Sequence, residues 1–306
     1  FGIWGTYIPS WIRFFVAMGF FGVQTFLVTE AAVGIGLELL GKANLLARYP
    51  AVNPSTLVSA FPTLFWGTFI AIIIVQTIIL IYAKPVLGSP SLKYLGYVMP
   101  WISIIGLTAT FVYFLSLYPS AIAIALKQPY APISGAMLPI FLIYLVSNIH
   151  ATQVISWPDV MRFAKSFKHM VVGQIGLPIF YTLVVAYGAI MSAITEVLTK
   201  SVTYDPSLLV VRFITNPIFA TLILIIYAFT MLNTNIFSNV VPPVYDLNNT
   251  FPSKLSWTRG VLIVTALGIL IGAWSLYMKG AYAYFSTWIL YISGLLGPIA
   301  GIIVAD

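Results

Sequence analysis

The chain has 306 residues, of which 60% are hydrophobic and only 7% are charged. Soluble domains carry about 25% charged residues, so this composition excludes a water-soluble domain and identifies an integral membrane protein. The net charge of +7 comes from lysines and arginines spread over the connections without a basic stripe, which excludes nucleic acid as a partner, and the absence of cysteine excludes disulfides and thiolate metal sites.

Eight segments are long and apolar enough to cross a bilayer, which requires about 20 mostly apolar residues. They run over residues 11–40, 62–83, 95–118, 136–155, 171–198, 208–240, 261–278 and 282–305. Backbone groups in lipid must be paired within their own segment, so we predict an all-α membrane protein. Because the chain starts without a methionine and ends directly after an apolar run, we expect residues 1–306 to be a single transmembrane domain cut from a longer protein.

The first predicted span carries two polar groups at membrane depth, Gln24 and Glu30. Phe20 and Gln24 are four residues apart, so a ring and an amide share one helix face, which suits a flat, hydrogen-bonding solute. Gln24 could equally bond a neighbouring helix. Glu30 lies about 240° around the helix from Gln24. For Glu30 we favour an interfacial role, in which it pairs with lysine or arginine, or a structural role, over a proton site.

The fourth predicted span contains a polar cluster between Ser147 and Gln153, with His150 at its centre. So many polar side chains suit a helix that lines a cavity or is locally unwound. A single histidine in a helix is more often a packing residue than a ligand, so both roles stay open for His150. Neither histidine of the chain has an HxH or HExxH partner, and we therefore expect no cofactor apart from a candidate Na+ ion.

The sixth predicted span ends in the polar stretch NTNIFSNVVPP, residues 233–243. Thr230, Asn233 and Thr234 share one helix face, and their oxygens are of the kind that replaces the water shell of a small cation. Asn235 and Asn239 share an adjacent face and could hold a polar solute. Hydrogen bonding between helices is the alternative, at about 0.6 kcal/mol per contact. We also predict that the two prolines prevent a regular helix from continuing.

Five stretches, in chain order, resemble the nucleobase–cation symporter-1 family of hydantoin, allantoin, purine and pyrimidine permeases. They are FGIWGTYIPSWIRFFVAMGFFGVQTF, WPDVMRFAKS, GQIGLPI, NTNIFSNVVPPVYDLNNTFPSKLSWTRG and GLLGPIAGIIVAD. The resemblance implies a LeuT-type bundle of two inverted repeats with a site at the midplane. The eight predicted spans would then be family helices three to ten, with the flanking helices missing.

The resemblance also implies roles for individual residues. Gln24 and Asn239 match the glutamine and asparagine that contact substrate, whereas Phe20 and His150 stand where the family places two stacking tryptophans. These two departures weaken the aromatic sandwich, although both side chains can stack on a planar ring.

For the cation, the resemblance places a ligating backbone carbonyl at Thr230 and two hydroxyl ligands at Asn233 and Thr234. Asn233 departs from the family's serine-type ligand, which leaves the choice between Na+ and H+ open.

We therefore predict a cation-coupled importer of a planar nitrogen heterocycle, in the plasma membrane, with lipid as its surroundings and no obligate protein partner. A transporter of the same fold for amino acids is the alternative. A passive channel would need a polar stripe along several spans, whereas the polar clusters lie at one depth. An enzyme ranks last, since no Ser–His, paired Asp or HExxH arrangement occurs within the spans.

Overall fold

The structure, a computed structural model, covers most of the chain. It describes residues 2–48, 54–82, 90–127, 164–203, 205–272 and 294–302, together with the single residues 135, 137, 155, 156, 161 and 305. The predicted fourth span at 136–155, which contains His150, lies almost wholly outside the described residues. Most of the predicted eighth span at 282–305 lies outside them as well.

Helices make up nearly all of the described chain. They are α1 (Gly2–Leu39), α2 (Pro54–Ala60), α3 (Pro62–Tyr82), α4 (Pro90–Leu117), α5 (Pro119–Ala125), α6 (Phe167–Thr199), α7 (Pro206–Phe213), α8 (Pro217–Thr234), α9 (Val241–Thr250) and α10 (Trp257–Gly272). A 3₁₀ turn at Ala43–Arg48 follows α1, and a π-helical segment at Asn235–Val240 joins α8 to α9. Residues 294–302 are also helical.

Among the described residues, five helical stretches are long and apolar enough to cross a membrane. They are Trp4–Leu39, Pro62–Tyr82, Tyr97–Leu117, Phe167–Thr199 and Pro217–Thr250. Each coincides with one of the predicted spans one, two, three, five and six. The predicted seventh span corresponds to α10, an apolar helix of 16 residues.

The predicted start of the sixth span at Leu208 is wrong. Leu208 belongs to α7, a separate short helix, and the spanning helix α8 begins anew at Pro217. The side-chain oxygen of Asn216 accepts hydrogen bonds from the backbone N–H groups of Ile218 and Phe219, at 3.0 and 3.2 Å. An asparagine cap followed by proline is a strong signal for a helix start, and it fixes this boundary.

The predicted end of the sixth span at Val240 is also wrong, because the helix continues to Thr250 through Pro242 and Pro243, although a π-helical segment interrupts its regular α-helical pattern before them. Both prolines lie in the first turn of α9, where a residue without an N–H is tolerated. The π-helical segment makes this continuation possible, because the backbone N–H of Val241 reaches back five residues to the carbonyl of Ile236. Single π turns inside α-helices occur frequently at functional sites.

Helix α1 is the central helix of the described bundle. In its most apolar window 72% of the residues are buried, against 22% or less in each of the other four spans. It packs against α3, α8 and α10. A Cβ atom on Gly272 of α10 would collide with the backbone of Gly19 and Gly22 in α1, so these two helices touch backbone to backbone.

Two apolar clusters lie along α1, with a polar layer between them. Phe14, Met18 and Phe21 belong to one cluster, and the second begins at Phe26. The residues between the clusters include Gln24 and the fully buried Thr25. Polar groups in this position are enclosed on both sides by hydrocarbon, so each of them requires a partner or a ligand.

Candidate functional site

A chain of side-chain hydrogen bonds joins α1, α3 and the π-helical segment. Its members are Gln24 and Thr25 of α1, Gln76 of α3, and Asn235 and Asn239 of the π-helical segment, and we call it the amide network. Thr25, Gln76 and Asn235 have no exposed surface, and Asn239 is 5% exposed. An enclosed network of this kind holds its members rigidly as long as every hydrogen bond is made.

The network brings Gln24 and Asn239 together. The side-chain N–H of Asn239 donates to the side-chain oxygen of Gln24 at 2.9 Å. The two residues were predicted to face a common solute, and they lie side by side at the junction of α1 and the π-helical segment. Gln24 is the more exposed of the two residues and is half-buried.

Asn235 lies deeper, at the centre of the network. Its side-chain N–H groups face the oxygen of Gln76 at 2.9 Å, the hydroxyl of Thr25 at 3.0 Å and the backbone carbonyl of Phe21 at 3.3 Å. Its side-chain oxygen accepts a hydrogen bond from Asn239 at 2.9 Å. Asn235 was predicted to contact a solute, but its described contacts all lie within the protein, where it orients Asn239.

Sequence reasoning missed Gln76. It is the one amide in the apolar run IIIVQTIIL of α3, and it is fully buried. Its oxygen accepts from Asn235, and its N–H group faces the Thr25 hydroxyl at 3.4 Å. A lone amide in so apolar a helix was the available signal, although the sequence could not reveal which helix supplies its partner.

The backbone carbonyl of Phe21 sets the direction of the hydrogen bonds in the network. A carbonyl oxygen only accepts, so the NH₂ group of Asn235 must face it, and the Asn235 oxygen is left to accept from Asn239. Asn239 thus uses both of its N–H bonds, on Asn235 and on Gln24.

Among the described residues, this direction leaves two polar groups of the network without a hydrogen-bond partner. They are the N–H donors of Gln24 and the side-chain oxygen of Asn239. The described part of the site therefore presents donor and acceptor groups on two hydrogen-bonded residues, and its members are electrically neutral.

Of the two side chains predicted to stack on a planar solute, the structure describes only one. Phe20 lies one turn before Gln24 on α1, half-buried against Val16, with Leu296 and Ile155 in the same apolar cluster. His150 lies outside the described residues. Stacking of either side chain on a solute therefore stays a prediction.

The three predicted cation ligands lie within little more than one turn of α8. The Thr234 hydroxyl donates to the backbone carbonyl of Thr230 at 2.9 Å. The Thr230 hydroxyl donates to the carbonyl of Ile226 at 2.8 Å and contacts the hydroxyl of Ser103 in α4 at 2.7 Å. Both the hydroxyl and the backbone carbonyl of Thr230 are thus engaged in hydrogen bonds within the protein, and the role of this residue toward a cation stays a prediction.

Asn233 is the member of this group whose side-chain oxygen has no described hydrogen-bond donor. That oxygen is buried. A buried carbonyl oxygen without a donor is unfavourable unless a water molecule or a cation meets it. The donor set of amide, hydroxyl and carbonyl oxygens suits Na+.

The fold and the polar layer define a class of protein: a multi-pass α-helical membrane protein with neutral hydrogen-bonding groups enclosed beside its central helix. The chain belongs to the family of permeases for cytosine/purines, uracil, thiamine and allantoin, whose family model matches residues 1–306.

Individual relatives agree with this membership. The chain is 30% identical over 318 residues to a purine-uracil permease of Arabidopsis thaliana, covering all of this chain and 49% of the relative. It is 29% identical over 162 residues to an allantoin permease of Bacillus subtilis, covering 53% of this chain and 32% of the relative. The chain therefore spans about half the length of the plant relative and about a third of the bacterial one.

A solved structure confirms the predicted fold. Mhp1, a nucleobase-cation-symport-1 family transporter in a closed conformation with bromovinylhydantoin bound, superposes with a TM-score of 0.66 at 20% identity. The match covers 99% of this chain and 62% of that one. The chain thus has the LeuT-type bundle that the sequence motifs implied.

Proposed function

We propose that the whole protein is a secondary active transporter that imports a planar nitrogen heterocycle together with a cation by alternating access. The heterocycle is a nucleobase or a related ring such as a hydantoin or allantoin, and the membrane is the plasma membrane. Support comes from family membership and from the relatives, which are permeases for purines, uracil and allantoin. The same relatives speak for transport and against an enzymatic reaction.

The observation that carries this proposal is the pairing of a donor on Gln24 with an acceptor on Asn239. Pyrimidines, purines and hydantoins present an N–H beside a C=O or a ring nitrogen on one edge. Such an edge pairs with the two groups at once, with the ring C=O facing Gln24 and the ring N–H facing Asn239. Because the amide network holds both groups in place, little orientational freedom is lost when the ring binds.

The faces of the ring are assigned to Phe20 and His150. Both side chains are planar and can stack on a flat heterocycle, which excludes water from the edge contacts. An amino acid substrate fits less well, because its ammonium and carboxylate groups would be desolvated beside neutral amides without a countercharge.

The cation is assigned to the Thr230 carbonyl, the Asn233 amide oxygen and the Thr234 hydroxyl. The unpartnered oxygen of Asn233 supports this assignment. The cation residues and the solute residues follow one another in α8 and the π-helical segment, so that ordering of one site would favour binding at the other. The coupling ion, Na+ or H+, is the part of the proposal that an uptake assay decides.

Substitution of Asn239 tests the solute site. In the intact protein, Asn239→Ala should weaken binding of a radiolabelled heterocycle by at least about tenfold, since it removes the acceptor and the bond that orients Gln24. Asn249→Ala is the matched control, because Asn249 is exposed on α9. Unchanged affinity of Asn239→Ala would remove the assignment.

Competition identifies the substrate class. An excess of unlabelled uracil, adenine, hydantoin or allantoin should reduce uptake of the labelled ring, whereas neutral amino acids should not. Competition by amino acids alone would favour the alternative transporter of the same fold.

A further inference from the structure

Two carboxyl groups lie close together inside the protein, away from the amide network. Glu30 of α1 has no exposed surface, and Asp205 is 6% exposed. Asp205 immediately precedes α7 and caps it, since its side-chain oxygen accepts the backbone N–H of Leu208 at 2.9 Å. The Glu30 and Asp205 carboxyl groups face each other where α7 packs on α1, close enough to share a hydrogen bond once one of them carries a proton.

Among the residues that the structure describes, neither carboxyl group forms an ion pair with a lysine or arginine. Neither oxygen of Glu30 receives an N–H or O–H donor from any described residue. The prediction that Glu30 pairs with lysine or arginine is therefore wrong. Of the cations close to Asp205 in the sequence, Lys200 is exposed and the Arg212 guanidinium lies over the Phe213 ring at 5.5 Å.

The other titratable group that faces the pair is the buried phenol of Tyr227 on α8. A phenol is neutral at ordinary pH and supplies no positive charge. The surroundings therefore leave the negative charges of the two carboxyl groups without compensation.

Two carboxylates close together and out of water cannot both be ionised without a large electrostatic penalty. A single proton between them removes that penalty, because one group then donates to the other.

We infer that Glu30 and Asp205 form a proton-binding site, in which the two carboxyl groups share one proton and hold α7 against α1. The site does not depend on which solute is carried. Its use in coupling proton entry to uptake rests on the proposed function.

The direction of the pH effect follows from the surroundings. Burial raises the pKa of the Asp205 carboxyl above its ordinary value. A group whose pKa is raised in the folded protein stabilises it at low pH, and this contribution is lost as the pH rises through the raised value. At high pH both groups are charged and repel each other, and α7 separates from α1.

The fold allows such a movement. Helix α7 has eight residues and connects α6 to α8. Beneath it lies a cavity of about 130 Å³ lined by Leu209, Val210 and Tyr227 among others. Empty space of this kind permits a short helix to shift without compressing its neighbours.

Hydrogen–deuterium exchange of α7 tests the site in the intact protein in lipid nanodiscs. Once corrected for the intrinsic effect of pH, exchange at residues 207–213 of the wild type should accelerate with rising pH, by up to about tenfold per unit for one proton. Glu30→Gln should abolish this dependence, since its amide donates to Asp205 at every pH. Glu38→Gln is the matched control, because Glu38 lies on the same helix and is 9% exposed, and it should behave like the wild type.

Asp205→Asn provides a second variant, since asparagine caps helices as well as aspartate does and α7 should therefore stay folded. It should also lose the pH dependence. If both variants kept the pH dependence of the wild type, the proton-binding site would be rejected. If addition of Na+ restored the protection of the wild type from exchange at high pH, the two carboxyl groups would form a cation site instead. The exchange readout needs no substrate, so failure of the uptake assays would reject the proposed function and leave this result standing.

Discussion

Arg13 of α1 and Asp246 of α9 form a buried ion pair. The Arg13 Nη2 and Asp246 Oδ2 atoms are 3.1 Å apart, and the two side chains are only 3% and 11% exposed. Removal of one charge from a buried ion pair is costly, because it takes away a counterion that water cannot replace there. The pair therefore holds the helix that follows the π-helical segment against the central helix.

Removal of one member of this pair should destabilise the protein strongly. Asp246→Ala should lower the free energy of unfolding by about 3 kcal/mol, since it removes the counterion that Asp246 supplies to the buried Arg13 charge. Thermal unfolding in detergent measures the effect, with Arg259→Ala on the exposed surface as the control. The double variant Arg13→Met with Asp246→Leu should recover part of the loss. A double variant less stable than Asp246→Ala would contradict this account.

Gln76→Leu should weaken heterocycle binding although Gln76 does not face the solute. The substitution removes the acceptor for Asn235, so that Asn235 and Asn239 lose their fixed orientation. We expect about tenfold weaker binding by equilibrium dialysis, with the melting temperature affected far less. Thr77→Val is the neighbouring control, since the Thr77 hydroxyl donates only to the carbonyl of Ile73 on its own helix. Equal losses for both variants would show a general packing effect.

Asn233→Ala should raise the Na+ concentration needed for half-maximal uptake by at least about tenfold, if Na+ is the coupling ion. The substitution removes the buried oxygen that has no described donor. Asn233→Ser supplies a hydroxyl oxygen in place of the amide oxygen. Its half-maximal Na+ concentration should lie between those of Asn233→Ala and the wild type. If uptake did not depend on Na+ but was abolished by a protonophore, Na+ binding at Asn233 would be rejected and H+ would be the coupling ion.

Gly272→Ala should destabilise the contact between α10 and α1. The added methyl group would meet the backbone of Gly19 and Gly22, which cannot move aside as a side chain can. A loss of about 1–3 kcal/mol is expected from overpacking. Gly188→Ala on α6 is the control, because a Cβ there meets nothing within 4 Å. The same melting temperature for both variants would argue against the close approach.

The helices of this protein were largely predictable because lipid leaves few alternatives for the backbone. The second predicted span, 62–83, differs from α3 by one residue at its end. The errors fall where side chains act on the backbone, as at the Asn216 cap and at the two prolines. A hydrophobic run in the sequence indicates burial. It does not show where a π turn changes the pairing of backbone N–H and C=O groups.

The candidate site was predictable in part for the same reason. Gln24 and Asn239 stood out as amides in apolar helices, and the family resemblance gave them a common role. Their contact, the depth of Asn235 and the part taken by Gln76 depend on how three helices pack. Asp205, the neighbour of Glu30, is far away in sequence and lies in a connection, so periodicity along α1 could not reveal it.

The two consecutive prolines have a consequence for the main chain beside Asn239. The carbonyl oxygen of Ser238 finds no amide hydrogen four or five residues later, because Pro242 and Pro243 occupy those positions. That oxygen therefore has no α-helical or π-helical N–H partner, and no exchange of the Ser238 side chain removes it. A substitution of the neighbouring Asn239 likewise leaves this main-chain acceptor in place.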